Sequence, residues 1–583
     1  MKRREFLCGA VAVSAVVLAG EAAAKTTAGK QATSDKHDLV LKNGRILDGA
    51  GNPWFKADIA LKNGRISKIG RVDENGADRI IDVKGLFVSP GFIDIHNHTD
   101  TSMFSDPWVE SLLRQGITTN INGNCGGSPA PRKSRAGREE NWTTMDEYLN
   151  LIEQHAFAQN MVTLVGHGTV RNYVMRGNHG APNQKQLDEM KQLVREAMKQ
   201  GAAGFSTGLA YSPGCYAHTD EVIELTKVAA EYGGIYATHL RDFSSKVLGW
   251  SGEEGSVYKA VEEAIEIGRK SGIRVVQISH LSSNSPYSGD PELDKKVHDL
   301  IYKSREDGID VLIDVLPSDW GSVASWPGRA VFSPLYLADG KEKLLERLRD
   351  PDLRAVLKEE LLTKSPAEMG FENTTARLLL IRAGKGDGVW IFPPLNGHFK
   401  NPQYERKTLD VIAKMKGVDL LDALFDVLIE ENGKVCIANK VMEDRNSQLA
   451  WSIAMPSTDG GSTLKPGKAA RRVRPSAYSG FSDALIWVRE KKLVTIEDMI
   501  RKMTSLPARA LRLRGRGLIK EGFWADITVF DLKNVKSLCT YENDARAAYP
   551  EGIPYVIVNG ILVIDDNKLT EALPGKVLRQ SSA

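Results

Sequence analysis

A handful of residues in this chain have the types and spacing to bind a metal ion or move a proton. His96 and His98 stand two apart in Gly91-Phe-Ile-Asp-Ile-His96-Asn-His98, after the apolar Leu86-Phe-Val-Ser-Pro90. In an extended chain, residues i and i+2 face the same way, so both imidazoles project together with Asp94 behind them. Two imidazoles on one face are a natural pair of ligands for a borderline-soft cation, although two unrelated histidines show the same spacing. His239 and His280 each finish an apolar run, 233–238 and 273–279, with room for a crossover helix between them. Cys125 ends the run from 117 and is followed by two glycines, a better place for a ligand than for a core thiol; the alternative is burial as a small hydrophobe. Asp459 follows the apolar stretch from 449 and precedes two glycines, which by itself suits a turn residue. Beside four histidines and a cysteine, that carboxylate gains a role: it can take a proton from metal-bound water and deliver it to a leaving nitrogen.

Elements that could bring these residues together are legible as an alternation of strand-like and helix-like runs. Strand-like runs at 117–122, 203–206, 234–238, 273–279 and 311–315 alternate with helical patterns at 186–200, 219–232 and 257–270. Alternation at this pitch predicts a parallel βα architecture, in its favoured form a (β/α)8 TIM-like barrel, which places its chemistry at the C-terminal ends of the strands. The stretch 326–403, rich in Pro, Lys and Glu, breaks the rhythm and is read as an insertion, a candidate lid. Residues 38–88 instead show short β patterns, with Leu-Lys-Asn-Gly-Arg-Ile twice, at 41–46 and 61–66. Asn-Gly pairs are strong hairpin signals, so these copies read as neighbouring hairpins. The stretches 525–530 and 555–560 have the same character, and the economical arrangement is one small β-sandwich built from both chain ends, 37–88 with 510–575, around a barrel of 89–509.

At 583 residues, 42% hydrophobic and 26% charged, the chain has the composition of a large globular protein, and burial is not limiting. A formal charge of +3 against 77 basic and 74 acidic residues points to no nucleic-acid partner. Residues 1–24 read as a removable leader: Arg3-Arg4-Glu5-Phe6-Leu7 is a twin-arginine pattern, followed by an apolar run and Ala22-Ala23-Ala24. The apolar run is shorter than the ~20 residues of a spanning helix, so a membrane anchor is the weaker reading and no stable membrane insertion is expected after cleavage. The expectation is export by the twin-arginine route to the periplasm or the medium. Cysteines at 8, 125, 215, 436 and 539 are too irregular for a disulfide framework.

With these motifs assembled, the chain resembles the amidohydrolase superfamily and, within it, the D-aminoacylase (N-acyl-D-amino-acid deacylase) family. The resemblance runs through about 38–565 apart from the insertion, and rests on Gly91 to His98, Gly123-Asn-Cys-Gly126, Gly166-His167, Gly204-Phe-Ser-Thr-Gly-Leu209, Tyr236-Ala-Thr-His-Leu-Arg241, Ile278-Ser-His280, Thr458-Asp-Gly460 and Met503-Thr-Ser-Leu-Pro-Ala508. It implies zinc held tightly by Cys125, His239 and His280, with His96, His98 and Asp459 around a second, weaker position, and Asp459 as general base. It also implies hydrolysis of a linear amide in a small N-acylated substrate, with His167 lining the site or serving as a structural histidine. Three departures touch the substrate end: Ser282 stands where relatives carry lysine, Leu316-Pro-Ser318 where they carry Tyr-Pro-Tyr, and Arg474-Pro-Ser476 where they carry His-Pro-Arg. The metal machinery is therefore expected to be kept while the specificity pocket differs, with Arg241, Arg471, Arg472 or Arg474 as candidate cations for a substrate carboxylate. The competing readings are a dipeptidase, a cyclic-amide or lactone hydrolase of the same superfamily, and a non-catalytic binding barrel.

Overall fold

The computed structural model describes residues 36–580 except 134–140, 211, 244–255, 282–290, 319, 325–330, 333–339, 365–377, 379–380, 383, 395–396, 441–446, 462–474 and 540–547. Residues 1–24, read as a leader, and Arg471, Arg472 and Arg474 lie outside the described residues. No helix among the described residues is long and apolar enough to cross a membrane.

Eight parallel strands make a barrel: Phe92–Asp94, Ile117–Asn122, Asn160–Thr163 continued by Val165–Gly166, Gly204–Gly208, Ile235–His239, Val275–Ile278, Asp310–Val315 and Ala454–Pro456. The third strand spans the seam between the two ladders, since Ala203 N–H donates to Thr163 O at 2.8 Å just before the fourth strand. The ring closes between the eighth strand and the first: Asp459 N–H donates to His96 O at 2.9 Å, and His98 N–H to Gly460 O at 2.6 Å. The strands read as nearly continuous apolar runs because both faces are covered, by barrel interior and by helices. The helix Gln184–Lys199 illustrates the outer layer: Asn183 and Gln186 form a reciprocal cap, and Met190, Val194, Ala197 and Met198 make its buried stripe.

The chain ends meet in one nine-stranded sheet, in which Ile527–Phe530 pairs antiparallel with Phe87–Pro90 and the latter runs parallel to Leu39–Ile46. The sheet curls back on itself, with Arg65 bridged to Trp524 and Ile66 N–H donating to Phe523 O at 2.9 Å. Asn63-Gly64 and Asn559-Gly560 are hairpin turns, joining Phe55–Lys62 to Arg65–Gly70 and Tyr555–Val558 to Ile561–Asp565. Asn43-Gly44 is not a hairpin. It is a bulge inside the single strand Leu39–Ile46, where the register slips between Leu41 and Gly44. Asn43 takes φ 61° and gives its N–H to Asp58 Oδ1 at 3.0 Å, and a β-carbon at Gly44 would meet Val88 Cγ2 at 2.8 Å. Buried tertiary partners thus decide between two uses of one dipeptide.

Between the seventh and eighth barrel strands the chain builds an antiparallel sheet of its own, Trp320–Ala324, Cys436–Lys440, Val389–Phe392 and Lys407–Thr408. Leu344, Leu348, Leu357, Ile391, Ile412, Leu424 and Leu428 share a core there that is distinct from the barrel's. The insertion therefore extends beyond 326–403, because its last strand returns to pair with its first.

Candidate metal centre

Every histidine, cysteine and aspartate of the centre sits where a barrel strand ends. His96 and His98 leave the first strand, Cys125 the second, and Asp459 the eighth; His239 is the last residue of the fifth, and His280 lies just past the sixth. Three of them take left-handed backbone conformations rare for residues with a β-carbon: Cys125 at φ 51°, His280 at φ 36° and Asp459 at φ 44°. Such strain persists only where the surroundings over-determine it. At Cys125 the surroundings include Gly126, also at positive φ (75°), where a β-carbon would lie 2.7 Å from Gly208 N.

The side chains converge. Cys125 Sγ lies 3.3 Å from His96 Nε2, 3.7 Å from His280 Nε2 and 3.9 Å from His239 Nδ1, while His239 Nδ1 and His280 Nε2 are 2.8 Å apart. Donor atoms of sulfur and nitrogen around a tetrahedral zinc ion sit about 3.5 Å from one another; the three separations from Cys125 Sγ bracket that spacing, while the His239 and His280 nitrogens stand closer, at hydrogen-bond distance. Asp459 Oδ1 lies 3.1 Å from His98 Nε2 and 3.7 Å from His96 Nε2. Two adjoining donor sets result, His96 with Cys125 and His280, and His96 with His98 and Asp459. His96, His239 and His280 are buried, whereas the His98 side chain keeps a third of its surface open.

Electrostatics favour ligand-ready forms at Cys125, His239 and His280. Burial by itself would raise the Cys125 thiol, but the charge on His96 and hydrogen bonding with His239, His280 and His96 bring it well below the usual thiol range. Burial, reinforced by His280, pushes His239 down to about 4, and burial likewise lowers His280, so both imidazoles are held neutral, the form that binds metals. Burial opposes a charge on His96, yet Asp314 and Cys125 overcome it and raise this imidazole to about 10. A soft thiolate beside neutral imidazoles, with a carboxylate opposite, is a donor set that suits zinc.

Asp314 is the residue that motif reading missed. Its carboxylate contacts His96 Nδ1 at 3.2 Å and accepts from His280 N–H at 3.0 Å, Gln277 Nε2 at 2.8 Å and Ser457 Oγ at 2.7 Å, and it is fully buried. One signal was available: an aspartate inside the apolar strand Asp310–Val315 must find partners in the barrel interior. Asp94 plays a similar part on the other side, accepting from Thr458 N–H and Oγ1 at 3.1 and 2.5 Å; burial raises its carboxyl to about 6.

Two substrate-contact candidates are engaged elsewhere. Arg241 is clamped by Glu263, with Nη2 to Oε1 at 2.8 Å, and donates to the carbonyls of Cys215 and Ala217. His167 follows the third strand but turns its Nε2 to Glu221 at 2.9 Å; Glu221 is in turn gripped by Arg171. His167, Arg171 and Glu221 thus make a buried, mutually bonded trio, in which His167 Nδ1 and Arg171 Nε have no hydrogen-bond partner.

Comparison with known proteins agrees with this geometry. The Amidohydrolase family matches residues 79–355 and 469–564. The N-acyl-D-glutamate deacylase of Alcaligenes xylosoxydans xylosoxydans is 29% identical over 564 residues, covering 94% of this chain and 98% of that protein. The crystal structure of N-acyl-D-glutamate deacylase from Bordetella bronchiseptica, complexed with zinc and a phosphonate mimic of the tetrahedral intermediate, superposes with a TM-score of 0.70 at 27% identity, covering 93% of this chain and all of that one. A D-aminoacylase structure described for its binuclear metal centre gives a TM-score of 0.68 at 27% identity, with coverage of 93% and 100%. A barrel with a β domain built from both chain ends, two adjoining metal-donor sets at its mouth and a family match over most of its length make one assignment: the chain is a metal-dependent, amide-hydrolysing enzyme of the amidohydrolase family.

Proposed function

We propose that the protein is a zinc-dependent hydrolase of a linear amide, removing the acyl group from an N-acyl amino acid, in the D configuration, or from a related N-acylated small molecule. The observation that carries this reading is the sharing of His96 between a thiolate-containing and a carboxylate-containing donor set. A bound zinc ion supplies Lewis acidity, polarising an amide carbonyl and making water nucleophilic near neutral pH. Cys125, His239 and His280 would hold that ion, with His96 at the border of the second position. Asp314, by engaging His96 Nδ1, turns Nε2 toward the thiolate. Asp459 accepts a proton from the attacking water and delivers it to the departing nitrogen. The names of the similar deacylases, at 27–29% identity, support a linear N-acyl amide of a D-amino acid as the substrate.

The test is an assay of purified, zinc-loaded protein on N-acetyl-D-amino acids, N-acetyl-L-amino acids, dipeptides, cyclic amides and lactones. Turnover of the linear N-acyl compounds with the cyclic ones left intact is expected. Preference for cyclic amides or dipeptides overturns the substrate class, and absence of both bound zinc and hydrolysis favours a binding barrel. The leader motif at Arg3-Arg4 supports a further proposal, that the enzyme works outside the cytoplasm.

A further inference from the structure

The metal ligands occupy the C-terminal ends of the barrel strands, and a separate cavity of about 1190 Å³ opens beside the N-terminal ends. Arg512, one of its walls, packs over Gly233, two residues before the fifth strand, and Arg274, immediately before the sixth, donates to Ala510 O. The cavity is above the ~300–1,000 Å³ usual for small-molecule sites.

Its lining has two halves. Leu506, Leu513, Leu518 and Leu578 form an apolar floor, and Arg509, Arg512 and Arg514 project exposed guanidiniums around it. The other arginines of the wall are already neutralised: Arg501 by Asp498, Arg516 by Asp526 and Arg579 by Asp146. No ion pair is seen for Arg509, Arg512 or Arg514 among the described residues, and no acidic side chain lines the cavity. Like charges lining one cavity repel. Burial, together with Arg512 and Arg509, holds the neighbouring Arg274 guanidinium below its ordinary range, and Arg274 Nε is buried with no hydrogen-bond partner.

We infer that this cavity is a binding site for an amphiphilic anion, an apolar chain or ring carrying a phosphate or carboxylate group. The anionic head would bond the planar forks of Arg512 and Arg514, which match such oxygens in pairs, and relieve the repulsion among the cations of the wall, Lys576 included. The apolar body would cover the leucine floor. Such a head group is available on a free amphiphile or in a membrane lipid.

Calorimetric titration of the full-length, zinc-loaded protein with octyl phosphate below its micelle concentration tests the site, with inorganic phosphate and octanol as the two half-ligands. Octyl phosphate should bind more tightly than either, and the double variant Arg512→Gln with Arg514→Gln should lose about tenfold or more in affinity while amide hydrolysis and thermal stability hold. Leu578→Asp, which puts an acid on the floor, should abolish binding. Equal affinity in the arginine variant, or half-ligands binding as well as octyl phosphate, would overturn the inference. Vesicles separate the sources. Sedimentation with phosphatidylglycerol but not phosphatidylcholine vesicles, competed by octyl phosphate, assigns a lipid ligand; octyl phosphate binding without sedimentation assigns a free amphiphile; sedimentation without octyl phosphate binding overturns the site in favour of a surface contact.

Discussion

His98 Nε2 and Asp459 Oδ1 stand 3.1 Å apart, joining the exit of the first barrel strand to the exit of the eighth. The contact sets the buried Asp459 carboxylate against His98, the most exposed histidine of the metal centre. Replacing Asp459 by Asn preserves shape and removes the proton acceptor. Turnover should fall by ~10²- to 10⁴-fold with zinc retained. Elemental analysis beside the kinetics checks both halves, and near-wild-type turnover would remove Asp459 from the proton-transfer role.

Cys125 contributes the only sulfur among the donors found in the described residues. In Cys125→Ala the remaining imidazoles keep their places, but a thiolate's charge is gone, so the protein should purify with little zinc and little activity. Chelation of the wild-type enzyme should likewise abolish hydrolysis, and zinc addition should restore it. Full zinc content in the alanine variant would show that the ion is held elsewhere.

Asp314 touches no ligand position directly available to substrate, yet it holds His96 through Nδ1 and His280 through its backbone N–H. Asp314→Asn should therefore weaken zinc binding by ~10- to 100-fold, the usual consequence of losing a partner that orients a metal-bound histidine. Competition with a chromophoric chelator measures this. An unchanged affinity would make Asp314 a packing residue only.

Arg516 and Asp526 form a buried ion pair at the junction of the two domains; Asp526 also accepts from Asn160 of the third barrel strand, and Arg516 donates to Asn559 Oδ1 at 2.8 Å. Arg516→Met leaves a buried carboxylate without its cation, at a cost of ~3–5 kcal/mol. Denaturant unfolding of the metal-loaded protein should show that loss. Replacing both Arg516 and Asp526 by apolar residues should recover part of it, because the uncompensated charge is then removed too.

For the leader, Arg3→Lys with Arg4→Lys should leave the enzyme in the cytoplasm, as shown by fractionating cells that express each form. Export of the double variant at the wild-type level would discard the twin-arginine proposal.

Much of this molecule was legible before any coordinates. The run of apolar strands alternating with amphipathic helices specifies a parallel barrel because each element has to bury one face and each crossover has to cover another. Once the strands are parallel, residues closing apolar runs fall at one mouth, which is why His96, His98, Cys125, His239, His280 and Asp459 could be picked out as a group from their positions at strand ends. Other features depend on which distant side chains arrive beside a residue, and local pattern does not hold that information. Asn43-Gly44 became a bulge and Asn63-Gly64 a turn because Asp58 and Val88 meet only the first. Arg241 was drawn to Glu263 and His167 to Glu221, since a half-buried cation or a buried imidazole takes the nearest carboxylate. Sequence alone pointed to the candidate donors and determined the barrel that gathers them; tertiary structure decided their separations, the Asp314 support and the basic cavity at the opposite ends of the strands, because charge and packing act through space and not along the chain.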